Sequence, residues 1–275
     1  MKLSNKLLII LGIVVFMLPL GIVVAVNSGG VNKNEYTHSL EEESKSFVAE
    51  TKHLSGNALK AYKSITIKSE GPQDLILHLV QDSQYGFKST YALPDVEVVD
   101  AANGETILQF KNPSWQSAHV YLYAPDFDHI SLENFNLSKL STREDSLKLD
   151  VINSPWSFNV ADNESLKSMD ITLQGSKIEN VNFGELEQLN LSLINSEIKM
   201  ESKSYKKLAL NLNNAKFVME GENNVNPTFN QLSVLSQGQS YINFPKKTIV
   251  QNIDGKLSDS TIMVVPAFLL KNLIK

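Results

Sequence analysis

Leu189–Met200 reads LNLSLINSEIKM: apolar side chains at every second position from Leu189 to Leu193, an Asn195-Ser196 pair, then alternation again through Ile198 and Met200. Alternation with a period of two puts the apolar residues on one face of a strand. Asn is among the few residues that tolerate a left-handed backbone, so Asn195 suits a sharp corner joining two short strands. Ser196 is small enough for the tight inside of such a corner.

Working outward, the same pattern returns in Leu147–Phe158 (LKLDVINSPWSF), Met169–Ile178 (MDITLQGSKI), Leu208–Met219 (LALNLNNAKFVM) and Ile253–Val264 (IDGKLSDSTIMV). The shared form is three alternating apolar residues, then Asn, Gly or Asp, then Ser or Ala, then alternation again. The corner markers Asn153, Gly175, Asn195 and Asn214 are separated by 22, 20 and 19 residues, and a weaker copy places Asn134 another 19 residues before Asn153. A degenerate copy around Ser240–Phe244 bridges Asn214 to Asp259, after a Gly221–Pro227 stretch that reads as a surface insertion.

A period near 20 residues with two short strands per unit predicts an all-β fold, a β-solenoid whose turns stack in parallel and share one core. Asn134, Asn153, Gly175, Asn195, Asn214 and Asp259 are the expected structural corner residues. Stacked asparagines are expected to bond up the stack as amide ladders do.

Upstream of the repeats the period is still two. Ser64–Lys68, Leu75–Leu79, Val96–Val98, Thr106–Phe110 and Val120–Tyr123 read as short strands bounded by Gly-Pro, Asn-Gly and Asn-Pro turns. Residues 31–60 read as a tether. Ser39 followed by Glu42 has the spacing of a capping box, and Leu40, Phe47, Val48 and Leu54 recur at near-helical intervals, predicting a short helix from Ser39 toward Leu54.

At the N-terminus, Leu7 to Val26 is a run of 20 residues without charge, 15 of them Leu, Ile, Val or Phe. As a helix it would span about 30 Å, the thickness of a bilayer's hydrocarbon core. Lys2 and Lys6 precede the run, so the positive-inside bias puts the N-terminus in the cytoplasm and the rest of the chain outside it. The run exceeds the usual apolar region of a cleaved signal, and the only cleavage candidates lie around Ala25–Ser28. A single-pass signal-anchor is therefore expected, with the C-terminal part periplasmic or extracellular. The divisions are 1–30 for the cytoplasmic tip and membrane helix, 31–60 for the tether and 61–275 for the solenoid.

The chain has no cysteine, which removes lipoprotein anchoring, disulfides, thiolate metal sites and cysteine nucleophiles. The net charge of −5 comes without a basic cluster or aromatic stripe, so no nucleic-acid partner is expected. His38, His53, His78, His119 and His129 lack metal-ligand spacing. They read as surface or edge residues, though His119 and His129 flank one strand pair and could meet. Asp126 and Asp128 beside His129 offer too few oxygens for calcium. The acids Asp150, Asp170, Glu179 and Glu197 fall at different points of the repeat, without forming a column. A polysaccharide-cleaving enzyme would need converging carboxylates. Trp156 reads as a core residue, and Trp115 as a sugar-stacking ring if exposed.

In layout, the strands Ser64–Ile67 and Leu75–Leu77, the Asn103-Gly104 hairpin before Thr106–Leu108, Val120–Pro125 followed by Ile130–Leu132, and the Asn/Gly-Ser corners resemble the auto-transporter adhesin head (GIN) domain family common in Bacteroidetes. The resemblance covers about Tyr62 to Val264 and implies a β-solenoid in the cell envelope with no assigned active site. No barrel-forming region follows the repeats in this sequence, so self-transport is not expected. The combined expectation is a membrane-anchored, non-enzymatic binding or adhesion module, with no cofactor and no metal. Its partners would be the membrane and an envelope protein or glycan, and the alternatives are a polysaccharide-active β-helix enzyme or a structural spacer. The apolar Phe268–Ile274 stretch is expected to cover the open end of the solenoid.

Overall fold

In a computed structural model, the structure describes residues 45–51, 54–90, 96–100, 104–111, 113, 117–155, 157–160, 165–220 and 226–273. One compact unit runs from Ser46 to Lys275. The membrane helix expected over Leu7–Val26 lies outside the described residues. Among the described residues, no helix is long and apolar enough to cross a membrane.

The N-terminal third comprises β1 (Leu54–Ala58), β2 (Ser64–Gln81), β3 (Gly86–Thr90), β4 (Val96–Asp100), β5 (Glu105–Phe110), β6 (Ala118–Ala124) and β7 (His129–Ser141). The two halves of β2 pair in parallel with β5 and β6 on one side, and β2 pairs along most of its length with β7 on the other. Spatial order here differs from chain order. At the outer end, β3 lies antiparallel to β6, β1 antiparallel to β3 and β4 antiparallel to β5, which stops the parallel stack.

The turns that follow are β8 (Ser146–Ile152), β9 (Ser157–Asn159), β10 (Ser168–Gln174), β11 (Lys177–Ile178), β12 (Asn180–Asn182), β13 (Gln188–Ile194), β14 (Glu197–Glu201), β15 (Tyr205–Asn213), β16 (Lys216–Glu220), β17 (Thr228–Gln237), β18 (Tyr241–Asn243), β19 (Ile249–Lys256) and β20 (Ile262–Val264). Apart from β9 and β12, which pair with each other in parallel, they build two parallel walls. The large sheet continues β7-β8-β10-β13-β15-β17-β19, and the small sheet runs β11-β14-β16-β18-β20. This is a β-solenoid of about six turns. Its register repeats the marker spacing: Leu147, Met169, Leu189, Leu208 and Leu232 stand opposite one another in successive rungs.

Alternation explains the core. Leu189, Leu191 and Leu193 point inward and are buried, as are Leu208, Leu210 and Leu212 one rung on. Each fully buried leucine contributes roughly 2 kcal/mol, before the entropy of ordering the chain is subtracted. Aromatic pairs fill the wider part of the core, Phe110 edge-on to Phe135 at 5.7 Å and Tyr205 stacked on Phe229 at 6.2 Å.

Two expectations need correction. Gly71-Pro72 does not end a strand: β2 runs through it, absorbing the interruption as a register shift between Lys68 and Gln73. Proline is tolerated at such a bulge because no ladder bond is required of it. The tether with a helix toward Leu54 also fails in its described part. Residues 45–51 form turns and Leu54–Ala58 is a strand of the sheet. Phe47 and Leu54 bury their apolar surface with Val80, Tyr121 and Tyr123, a partner that no isolated helix face would offer.

At the far end, helix α1 (Ala267–Leu273) packs against β19, with Leu269 only 1% exposed.

Candidate functional site: the outer face of the small sheet

Corners decide what the small sheet presents. Asn134, Asn153, Asn195 and Asn214 have φ of 62°, 56°, 48° and 50°, and Gly175 has 59°. The inside of the corner is held by small residues in register. The Ser154 amide donates to Ser176 Oγ at 3.0 Å, the Ser176 amide to Ser196 Oγ at 3.1 Å and the Ala215 amide to Ser240 Oγ at 3.4 Å. Ser176 and Ser196 hydroxyls donate in turn to backbone carbonyls of their own corners. The asparagine amides bond to backbone of the neighbouring rung: Asn134 Nδ2 to the Ser69 carbonyl, and Asn214 Oδ1 from the Gln239 amide.

Asp259 differs from the other markers. It sits in a turn and is absent from the left-handed residues, whereas Gly238, with φ of 62°, takes that conformation one turn earlier. The last corner also shifts: Ile262 pairs with Tyr241, so Thr261 rather than Ser260 stands opposite Ser240. Gly238 escaped the repeat pattern because Gln239 is inserted before the serine.

Just past the corners, the outward side chains of the small sheet form a column: Lys177, Glu197 and Lys216, each two residues past its marker, then Tyr241 and Ile262, three residues past Gly238 and Asp259. A second column holds Lys199, Val218, Asn243 and Val264. Lysines and glutamates pair off, Lys177 with Glu179 at 3.1 Å, Lys199 with Glu220 at 2.7 Å and Lys216 with Glu197 at 3.5 Å. Hydrogen bonds and charge from Glu179 and Glu220 push the Lys177 and Lys199 ammonium groups above their ordinary pKa. Toward the C-terminal rungs the face turns apolar, with Ile262 62% and Val264 49% exposed.

Two surface depressions of about 630 and 710 Å³ share Glu197, Lys216 and Tyr241 and so join into one trough across the strands. Repeat alignment held the signal for it. Read at equal offset from the markers, K-x-E, E-x-K-x-E and K-x-V-x-E put Lys177, Glu197 and Lys216 in one column. The expectation that the acids form no column holds for Glu197 only against other acids, since its column alternates in sign.

The other candidates are dispersed. Asp150 and Asp170 lie on the large sheet, where Asp150 meets His129 Nε2 at 2.8 Å and Asp170 accepts from Asn190. His129 and His119 do not meet: His119 stacks on His78 with ring centroids 6.0 Å apart. His78 is no surface residue, being 1% exposed and stacked on Tyr121 at 4.2 Å. Asp126 and Asp128 border a small depression of about 200 Å³ with Lys148 and Asp170. No group of three or more metal-ligating side chains converges among the described residues. His38, His53, Trp115 and Trp156 lie outside them.

No protein-family model matches the chain, and no curated protein matches it. Among solved structures, an adhesin candidate from Parabacteroides distasonis has 13% identity and a TM-score of 0.45, covering 78% of this chain and 92% of that one. An adhesin candidate from Parabacteroides merdae has 12% identity and a TM-score of 0.32, covering 78% and 93%. One from Bacteroides fragilis has 14% and 0.29, covering 78% and 94%. The chain is similar, at low identity, to adhesin candidates from the Bacteroidetes.

Proposed function

We propose that this chain is a membrane-anchored, non-enzymatic protein of the cell envelope whose β-solenoid is a binding or adhesion module. The observation that carries the reading is the joined trough on the small sheet, where rigid rungs hold Lys177, Glu197, Lys216 and Tyr241 in one line. Such a surface is extended rather than enclosed, and it is fixed by backbone pairing.

Glutamates also stand on this face, so glycan hydrolysis has to be weighed. Hydrolysis needs one carboxyl kept protonated as the acid. Glu179, Glu197 and Glu220 are instead each held in an ion pair with a lysine of the same face. Binding is the chemistry such pairs permit. Anchoring rests on the uncharged Leu7–Val26 run behind Lys2 and Lys6.

The test uses the full chain in cells and purified in detergent. We expect it in the membrane fraction with its solenoid open to external protease, and a chain lacking residues 1–30 in the soluble fraction. Protection of the solenoid in intact cells would overturn the topology. New reducing ends from envelope polysaccharides, abolished in Glu197→Gln, would overturn the non-enzymatic reading.

A further inference from the structure

Resting on the binding-module reading, we propose that the trough of the small sheet takes a neutral, extended glycan running along the solenoid axis, about one sugar per strand. Four features on this face converge on that ligand class.

Spacing comes first. Parallel strands repeat every 4.8 Å or so, close to the length of one pyranose ring in an extended chain. Polar side chains on successive rungs therefore meet successive sugars at the same height. Lys177, Glu197 and Lys216 do this in one column, followed by Tyr241.

Charge comes second. Lys177, Lys199 and Lys216 are each paired to a glutamate. An anionic polymer gains affinity when cationic side chains displace its condensed counterions, and here each of these lysines already has a carboxylate partner on the same face. A neutral ligand with many hydroxyls instead finds alternating donors and acceptors, already oriented by their pairs.

The aromatic platform comes third. Tyr241 is half-exposed within both depressions, and Asn243, two residues on, stands on the same face of the strand. A ring with an amide beside it offers a flat apolar surface for the C–H face of a sugar and a bidentate partner for its hydroxyls. Shape comes last: the depressions are within the volume range of small-molecule sites yet open along their length. A protein partner fits less well, because interface cores are depleted in charged residues, and charges occupy the middle of this face.

The full chain in detergent is titrated by calorimetry with cellohexaose, chitohexaose and mannohexaose, with an oligogalacturonate hexamer as the charged control. We expect at least one neutral hexasaccharide to bind, its disaccharide to bind far more weakly, and added salt to leave the affinity unchanged. Tyr241→Ala should weaken binding about tenfold, equivalent to ~1.4 kcal/mol, while Tyr241→Phe and the large-sheet variant Thr172→Ala retain it. Circular dichroism of each variant separates loss of the site from loss of the fold. Binding that Tyr241→Ala leaves intact, binding of the charged hexamer alone, or failure of all three neutral hexasaccharides overturns the proposal. The binding-module reading survives those outcomes if the chain still retains an envelope protein or anionic polymer, and falls if nothing is retained or if turnover is found.

Discussion

At the scale of single residues, the fold depends on backbone conformations that few side chains accept. A left-handed residue with a Cβ costs roughly 1–2 kcal/mol, which asparagine offsets through local hydrogen bonds. Asn195, at φ 48°, is therefore the sensitive position of its turn. Asn195→Gly should be nearly neutral, and Asn195→Ala should lower the unfolding free energy by about 1–2 kcal/mol in urea melts. Gly238 is more exacting. A Cβ there would be strained at φ 62° and would also overlap the Asn214 amide oxygen. Gly238→Ala should thus cost more than Asn195→Ala, and Asn214→Gly in the same chain should recover part of the loss. A double-mutant cycle with no coupling between the two sites would refute this account of the corner. Ser176 and Ser196 add a different requirement, a buried hydroxyl that takes an amide from the rung before.

At the scale of elements, the segment before β1 does more than connect. The Phe47 amide donates to Asp82 Oδ2 at 2.7 Å, its ring tilts against Tyr123 at 5.5 Å, and Gly86 leaves the space it occupies. Lys88 is 6% exposed; its Nζ donates to the Ala49 carbonyl at 2.9 Å and lies over both rings. Phe47→Ala should cost roughly 1–3 kcal/mol, less than a fully buried phenylalanine. It should also speed proteolysis near residues 46–51 and amide exchange in β1 and β3. Lys88→Met keeps the stem and loses the ammonium, so its effect should be in the same direction and smaller. None of this was legible in the sequence, where Phe47 and Leu54 at near-helical spacing suggested a helix. Spacing reports local periodicity, and the deciding partners, Val80 and Tyr123, are distant along the chain. The solenoid turns were legible because each repeats the environment of the last, so alternation and the Asn-Ser corner reinforce one another five times over. Gly238 hid behind one inserted residue, and the trough emerges only when repeats are aligned to their corners.

At the scale of the whole molecule, one continuous core links the closed N-terminal end to the solenoid, and two phenols, Tyr205 within it and Tyr62 packed against it, report on its integrity. Burial pushes the hydroxyls of Tyr62 and Tyr205 well above the ordinary value of 10.0, with the charge of Asp126 adding to Tyr62 and that of Glu185 to Tyr205. Neither hydroxyl has a hydrogen-bond partner among the described residues. In the unfolded chain both ionise near pH 10, so above that pH the unfolded state binds fewer protons and stability falls as pH rises. Below pH 10 the contribution is fully present. Each phenol should steepen the loss by up to about 1.4 kcal/mol per pH unit. Urea melts between neutral pH and pH 11 should show it, and Tyr205→Phe should flatten the curve without loss at neutral pH. The closed N-terminal end has a separate consequence, for how such a molecule can change its length. Antiparallel β1, β3 and β4 terminate one end and α1 packs on the other. The turns between them meet only their like. Duplicating one coding segment within Ser146–Lys256 would therefore insert a whole turn whose neighbours already fit, leaving both ends untouched. Heredity can lengthen this protein in steps of a single strand spacing, and the reach of its outer face would grow by the same step.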